Sequence, residues 1–280
     1  MITVLRIKKR NEMNLAEIIL GLIRPYKIVE GVVQTDDAQV CTLTYYQRRG
    51  NIRYDKLYEK CRGKSKVILC DRKLNLFNTP FKRFNSLALN RALMQSFILN
   101  ILEKLGDLPS GIHIAYYDPD AEFPSFANKL LCYTTDLTVV TDMPKFYENE
   151  AERSAAETGA TFRVSNNTDD LYPCDILISP AVIRKPVPAA ASTLIFTVRQ
   201  PTVTVTGNVI CSYNIPFPDK YLSLVPDGTD KAYFMSALYI ICRRTELADI
   251  LPESCGNNIE TYKPESIIRQ IKAKCSFSVQ

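Results

Sequence analysis

Between residues 111 and 198 the chain alternates short apolar runs with helical stretches, and this rhythm constrains the fold more than any other feature. Residues 112–117 (IHIAYY) read as a strand, followed by a helix over about 124–133. Residues 137–141 form a second strand candidate and 145–158 a second helix, stopped by Gly159. Further strands are expected at 161–164, 175–179 and 193–198, with one or two more within 203–213. Strands that are apolar along nearly their whole length, spaced by helices, belong to a parallel sheet covered on both faces.

The chain before this region has a different character. A strand at 2–7 leads into a helix over 14–24, with Leu15, Ile18, Ile19 and Leu22 at helical spacing, Asn14 as N-cap and Pro25 as stop. Residues 27–33 and 39–46 read as a hairpin around Thr35-Asp36-Asp37, followed by a short helix at 54–61 and a strand at 66–70. Residues 84–105 are apolar around well over one face, which predicts a helix buried against more than one neighbour. A last helix is expected at 230–243.

The fold class that follows is α/β: a Rossmann-like parallel-sheet domain preceded by a smaller α/β domain. The expected boundaries are a small basic domain at 1–83, a long linking helix at 84–106, the Rossmann-like domain at 107–228 and a C-terminal helical extension at 229–280. Charge divides along the same lines. Residues 1–83 hold 18 Lys and Arg against eight Asp and Glu, whereas 107–197 hold six against 13. Such polarity fits two domains with different surfaces.

Residues 111–198 resemble the NAD(P)-binding Rossmann superfamily in general and no particular family, through the order IHIAYY, helix, LTVVTD, helix, TFRVS, DILISP, TLIFTV. A small α/β domain and a long helix precede such a unit in families like shikimate and methylene-tetrahydrofolate dehydrogenase, and the order here is similar. The resemblance implies that Asp142, closing the second strand, would hold the ribose hydroxyls of a dinucleotide; the other reading of Asp142 is a helix-capping residue beside Pro144. The loop after the first strand departs from the superfamily. In place of G-x-G-x-x-G it reads Tyr117-Asp118-Pro119-Asp120-Ala121-Glu122, and no two of the ten glycines in the chain lie within four residues of each other. NAD(P) is therefore not expected as a cofactor.

The same acids carry another resemblance. A strand ending in Asp-x-Asp, then a strand ending in Thr, is similar to the opening of the haloacid-dehalogenase-like phosphatases. That likeness implies Asp118 as nucleophile, Asp120 as acid/base and Thr141 as a phosphate contact, with magnesium neutralising the carboxylates. Here Ala121-Glu122 stands where that family has Gly-Thr. The plain alternative is a solvated Asp-Pro turn.

Other chemistry is limited by count. His113 is the only histidine, on an expected strand, and is read as a hydrogen-bonded interior residue. The nine cysteines are scattered with no C-x-x-C pair, so neither a disulfide framework nor a metal site is expected. The basic segment, with Lys8-Lys9-Arg10, Arg48-Arg49, Arg53 and the run 60–66, could neutralise phosphates while Tyr45, Tyr46 and Tyr54 stack on bases. The N-terminus places apolar residues before charges, the reverse of a secretory signal, and the longest apolar stretch, 232–242, is about half a membrane span. A cytoplasmic protein is expected, with no membrane partner.

Three functions fit these features. The leading one is a non-catalytic, dehydrogenase-like protein that binds a small ligand or a protein partner in an interdomain cleft. The second is a metal-dependent, phosphatase-like hydrolase using the Asp118/Asp120 turn. The third is a nucleic-acid-associated module working through the basic N-terminal domain.

Overall fold

The computed structural model describes residues 1–20, 23–61, 66–106, 112–257 and 259–277, without the side chains of 275–277. It divides into two compact units, one comprising 1–89 and 217–247, the other 90–216 and 248–280.

The first unit opens with β1 (Ile2–Lys9), α1 (Leu15–Leu20), β2 (Tyr26–Gln34) and β3 (Gln39–Gln47). Asn14 Oδ1 accepts the Glu17 amide at 2.9 Å, so the sequence's cap is the one used. Of the expected continuation to Arg24, residues 21–22 lie outside the described residues, while Ile23 and Arg24 are not helical and turn back with their amides on Leu20 O, ahead of Pro25. The hairpin forms in the expected place, and β3 lies between β2, antiparallel to it, and β1, parallel to it. Beyond come α2 (Tyr54–Lys60), β4 (Val67–Ile68) and β5 (Lys82–Arg83). Leu43, Tyr45, Leu57, Ile68 and Phe81 form the centre of this unit's core.

Helix α3 (Ala88–Leu105) leads into the second unit. There β6 (Ile114–Tyr117), α4 (Pro124–Leu130), β7 (Leu137–Val140), α5 (Pro144–Thr158), β8 (Arg163–Ser165), β9 (Ile176–Ser179), β10 (Leu194–Thr197) and β11 (Asn208–Ile210) follow in turn. All six strands are parallel, in the order β11-β10-β9-β6-β7-β8. Relabelled along the chain this is 6-5-4-1-2-3, the strand order of the Rossmann-like superfamily. The strands are apolar throughout because both faces are covered. Ile98, Ile101 and Leu102 of α3 pack over Ile114, Ile176, Ile178 and Phe196. Tyr116, on that same face, meets Phe126 of α4 and Tyr147 of α5.

The opposite face is covered without helices. The crossovers from β9 to β10 and from β10 to β11 contain no helix, and Ile183, Val187 and the half-buried Val203 and Val205 pack against Ala115, Leu177 and Ile195 instead. Pro180, Pro186, Pro188 and Pro201 explain this, since each removes an amide that a helix interior would need.

After β12 (Ser212–Asn214) the chain returns to the first unit with α6 (Lys231–Ile241), capped by Asp230, whose Oδ1 accepts the Tyr233 amide at 2.7 Å. Tyr233 Oη donates to Phe84 O at 2.7 Å, and Arg244 pairs with Asp37 at 3.1 Å. These links accompany the grouping of 217–247 with 1–89, whereas the sequence suggests consecutive segments with breaks at 83/84, 106/107 and 228/229. The remaining tail is more than a helical extension. β13 (Ser254–Gly256) pairs antiparallel with β12 and with β14 (Thr261–Tyr262), and α7 (Pro264–Phe277) follows.

Gly256 faces Thr261 across the β13–β14 pair, and a Cβ there would lie 2.1 Å from Glu260 O and 3.0 Å from Thr261 Cα. Gly256→Ala is therefore expected to cost about 1–3 kcal/mol, because backbone rather than a side-chain tip must move. Gly31→Ala, whose Cβ would meet nothing within 4 Å, is the control and should change stability by less than about 0.5 kcal/mol. Urea unfolding of the two variants measures the difference.

Candidate functional site

In a sheet of this order, ligands bind outside the carboxyl ends of the strands, where the order reverses. Here that point lies between β6 and β9, and the loop entering it is Asp118 to Phe123. Pairing of β6 with β7 brings Asp118, Asp120, Thr141 and Asp142 into the same mouth: Asp118 N donates to Val140 O at 3.1 Å and Asp142 N to Pro119 O at 3.0 Å. The four sequence candidates thus lie together, but in different environments.

Asp118 is fully buried. Its Oδ2 accepts the Phe123 amide at 2.8 Å and the Tyr147 hydroxyl at 2.7 Å. Its Oδ1 is enclosed with no hydrogen-bond partner among the described residues. The solvated turn foreseen from the sequence thus describes the exposed Asp120 and not Asp118. Thr141 is also buried; its hydroxyl donates to Pro119 O at 3.3 Å and accepts from Met143 N at 3.1 Å. Asp142 is exposed and caps no helix through its side chain; its Oδ2 accepts from Lys185 Nζ at 2.7 Å. An exposed pair of this kind contributes little to stability.

The loop offers few donors to a ligand. Of the seven residues from Asp118 to Pro124, two are prolines without an amide, and the amides of Asp118, Ala121 and Phe123 are engaged by Val140 O, Asp118 O and Asp118 Oδ2. Ala121 sits at φ 51°, the left-handed region that a glycine loop would occupy more easily. The Asp118 carboxylate thus takes, from inside, an amide at the start of α4, where a Rossmann domain usually offers such amides to a pyrophosphate. The loop therefore departs from the glycine-rich arrangement that cradles a pyrophosphate.

Three residues that the sequence did not single out complete the mouth. Tyr147 on α5 is buried against Tyr116 and Phe162. Its hydroxyl is held far above the usual phenol range, first by burial and then by the nearby Tyr116 and Asp118. Tyr116, whose Oη donates to Phe123 O at 2.9 Å, is raised likewise, with burial the main cause. Arg91 of α3 stacks its guanidinium 3.9 Å from the Phe123 ring centroid and donates Nε–H to Pro180 O at 2.7 Å. It therefore straps the loop after β6 to the loop after β9, across the switch point. Burial lowers its pKa, while Glu122 and Asp118 act in the opposite direction. Arg91 did leave a signal: it is the only charged residue between Ala88 and Leu102 of an otherwise apolar helix. Tyr147 left none, because an aromatic residue on a buried helix face reads as core.

The other candidates resolve simply. His113 is half-buried and lies just before β6 rather than on a strand, and both its ring nitrogens have partners, Nδ1 with Pro173 O at 2.6 Å and Nε2 with Thr138 Oγ1 at 3.0 Å. Among the described residues, no three His, Cys, Asp or Glu side chains are grouped to hold a metal ion, and no helix is long and apolar enough to cross a membrane. Tyr45, one of the proposed base-stacking residues, is fully buried and stacks on Tyr26 at 5.6 Å, which removes it from any nucleic-acid surface. Arg53 is paired with Asp55 at 2.9 Å. Residues 62–65 of the basic run lie outside the described residues.

No protein-family model matches the chain, and no curated protein matches it. Solved structures with a similar arrangement include dipicolinate synthase, A chain, from Bacillus subtilis, 10% identical, covering 89% of this chain and 97% of that one at a TM-score of 0.39. Quinate dehydrogenase from Corynebacterium glutamicum in complex with NAD is 10% identical over 70% of this chain and 79% of that one, at a TM-score of 0.29. Thermococcus litoralis Δ1-pyrroline-2-carboxylate reductase, in complex with NADH and L-proline, is 11% identical over 98% of each chain, with a TM-score of 0.29. The fold assignment rests on the strand order rather than on these superpositions.

Proposed function

We propose that this is a non-catalytic, dehydrogenase-like protein that acts by binding, its Rossmann domain serving as a scaffold rather than as a dinucleotide site. The observation that carries this reading is the buried Asp118 carboxylate bonded to the Phe123 amide at the start of α4. A pyrophosphate entering there would compete with an internal anion for that amide. It would also meet the exposed Asp120 and Glu122, each worth about 1 kcal/mol of repulsion in a solvated setting. The same geometry weighs against the hydrolase alternative. A nucleophilic carboxylate must reach its substrate, and Asp118 is enclosed, with Oδ2 held by two donors.

Calorimetric titration with NAD(H) and NADP(H) to millimolar concentration tests the reading. The expected result is no saturable binding tighter than about 10 µM, or about −7 kcal/mol. Tighter binding at the 118–123 loop would mean that the loop opens to a phosphate, and the scaffold reading would be lost.

A further inference from the structure

We infer that the first unit contains a binding site for a small organic anion, one with a carboxylate or phosphate head and an apolar body, built around Arg48. A cavity of about 850 Å³ lies between the end of α1, the start of β2, the residue after β3, and α2. That volume suits a small molecule. Arg48 lines it and is only 7% exposed, and its Nε is buried with no hydrogen-bond partner among the described residues. A guanidinium N–H withdrawn from water without an acceptor is costly, and the two terminal nitrogens of Arg48, which are not among the buried unpartnered atoms, remain for a ligand's head.

The surroundings define the ligand. Arg24, Lys27, Lys56 and Lys60 also line the cavity, against one carboxylate, Glu59. Glu59 is already engaged by Lys56, whose Nζ lies 2.8 and 2.9 Å from its two oxygens. The balance left around Arg48 is therefore strongly cationic. Leu20, Ile23, Tyr26 and Ile28 supply an apolar wall, with Ile23 80% exposed and Leu20 48% exposed. Cations alone would suit any polyanion. A buried arginine beside an open apolar wall suits an amphiphilic molecule, its head paired with the planar guanidinium and its body covering the exposed side chains. The site uses only residues of the first unit and is independent of the Rossmann scaffold reading.

The test is titration of the full chain with phenyl phosphate and hexanoate, alongside inorganic phosphate, benzyl alcohol and a single-stranded oligonucleotide. Phenyl phosphate or hexanoate should bind one to one with a dissociation constant below about 1 mM, with inorganic phosphate at least about tenfold weaker and the alcohol silent. Arg48→Gln should weaken binding at least about tenfold. If that variant does not fold, the exposed pair Lys27→Gln and Lys60→Gln should weaken it by a similar factor. Any dinucleotide signal that Arg48→Gln abolishes belongs to this cavity, which keeps the two tests separable. The inference is overturned if neither organic anion saturates by about 10 mM, or if the substitutions leave binding unchanged. Oligonucleotide binding that phenyl phosphate cannot displace also overturns it and assigns the face to nucleic acid.

Discussion

Asp118→Ala is expected to destabilise the second unit by about 2–4 kcal/mol, although Asp118 sits in a loop. The substitution removes the acceptor of the buried Tyr147 hydroxyl and of the half-buried Phe123 amide, and leaves both without an obvious replacement. A buried donor left unsatisfied costs about 1–3 kcal/mol, more than the net value of the bond it loses. Tyr147→Phe removes one donor and leaves the carboxylate its amide partner, so it should cost about 1–2 kcal/mol. The double variant should cost less than the two single changes added together, because Asp118→Ala by itself already leaves the hydroxyl unsatisfied. Urea unfolding of the four proteins, followed by near-ultraviolet circular dichroism, measures the cycle. Full additivity would mean that Asp118 and Tyr147 are not coupled through their hydrogen bond. A stable Asp118→Ala protein would show that the carboxylate is dispensable to the scaffold, and would count against its proposed structural role.

Alkaline conditions should unfold the protein well before ordinary solvated residues would require it. Burial pushes the Cys255 thiol up from 9.0 to about 12 and Cys174 to about 11, the latter with help from the Asp175 carboxylate. Tyr233 is raised from 10.0 to about 12, again chiefly by burial. The sign follows from proton linkage. Each group holds its proton more tightly in the folded protein, so its contribution is fully present below the unfolded value, about 9 for the thiols and 10 for the phenol. It is lost as pH rises from there toward the folded value. Stability should therefore be level up to about pH 9 and fall by a few kcal/mol by about pH 11.5. Cys255→Ala should flatten that slope even if it lowers stability at neutral pH. A urea midpoint that does not change between about pH 8 and pH 11, or an unchanged slope in Cys255→Ala, would show that these buried thiols do not control alkaline unfolding.

Several local features were legible in the chain as text. The hairpin around Thr35–Asp37 is where the sequence places it, Asn14 caps α1, and Gly159 ends α5 in the left-handed conformation at φ 75°. Each is decided by residues within a few positions of one another. The parallel sheet was legible for the same reason: β6, β7 and β9 are each buried along their whole length, a pattern that belongs to a strand with two covered faces.

The sequence by itself determined the Rossmann strand pattern and the absence of a glycine loop, because periodicity and residue type are local properties. Tertiary structure alone decided what replaces that loop. Asp118 meets Tyr147 across 29 positions, and Arg91 reaches Pro180 across 89. It likewise decided that 217–247 belongs with the first 89 residues, and that Arg48, one cation in a basic segment, is withdrawn into a cavity wall. An acid or a cation carries the same letter whether it is exposed or enclosed. Its environment is set by chain segments far away in sequence, and burial and hydrogen-bonding partners exist only once those segments have packed together.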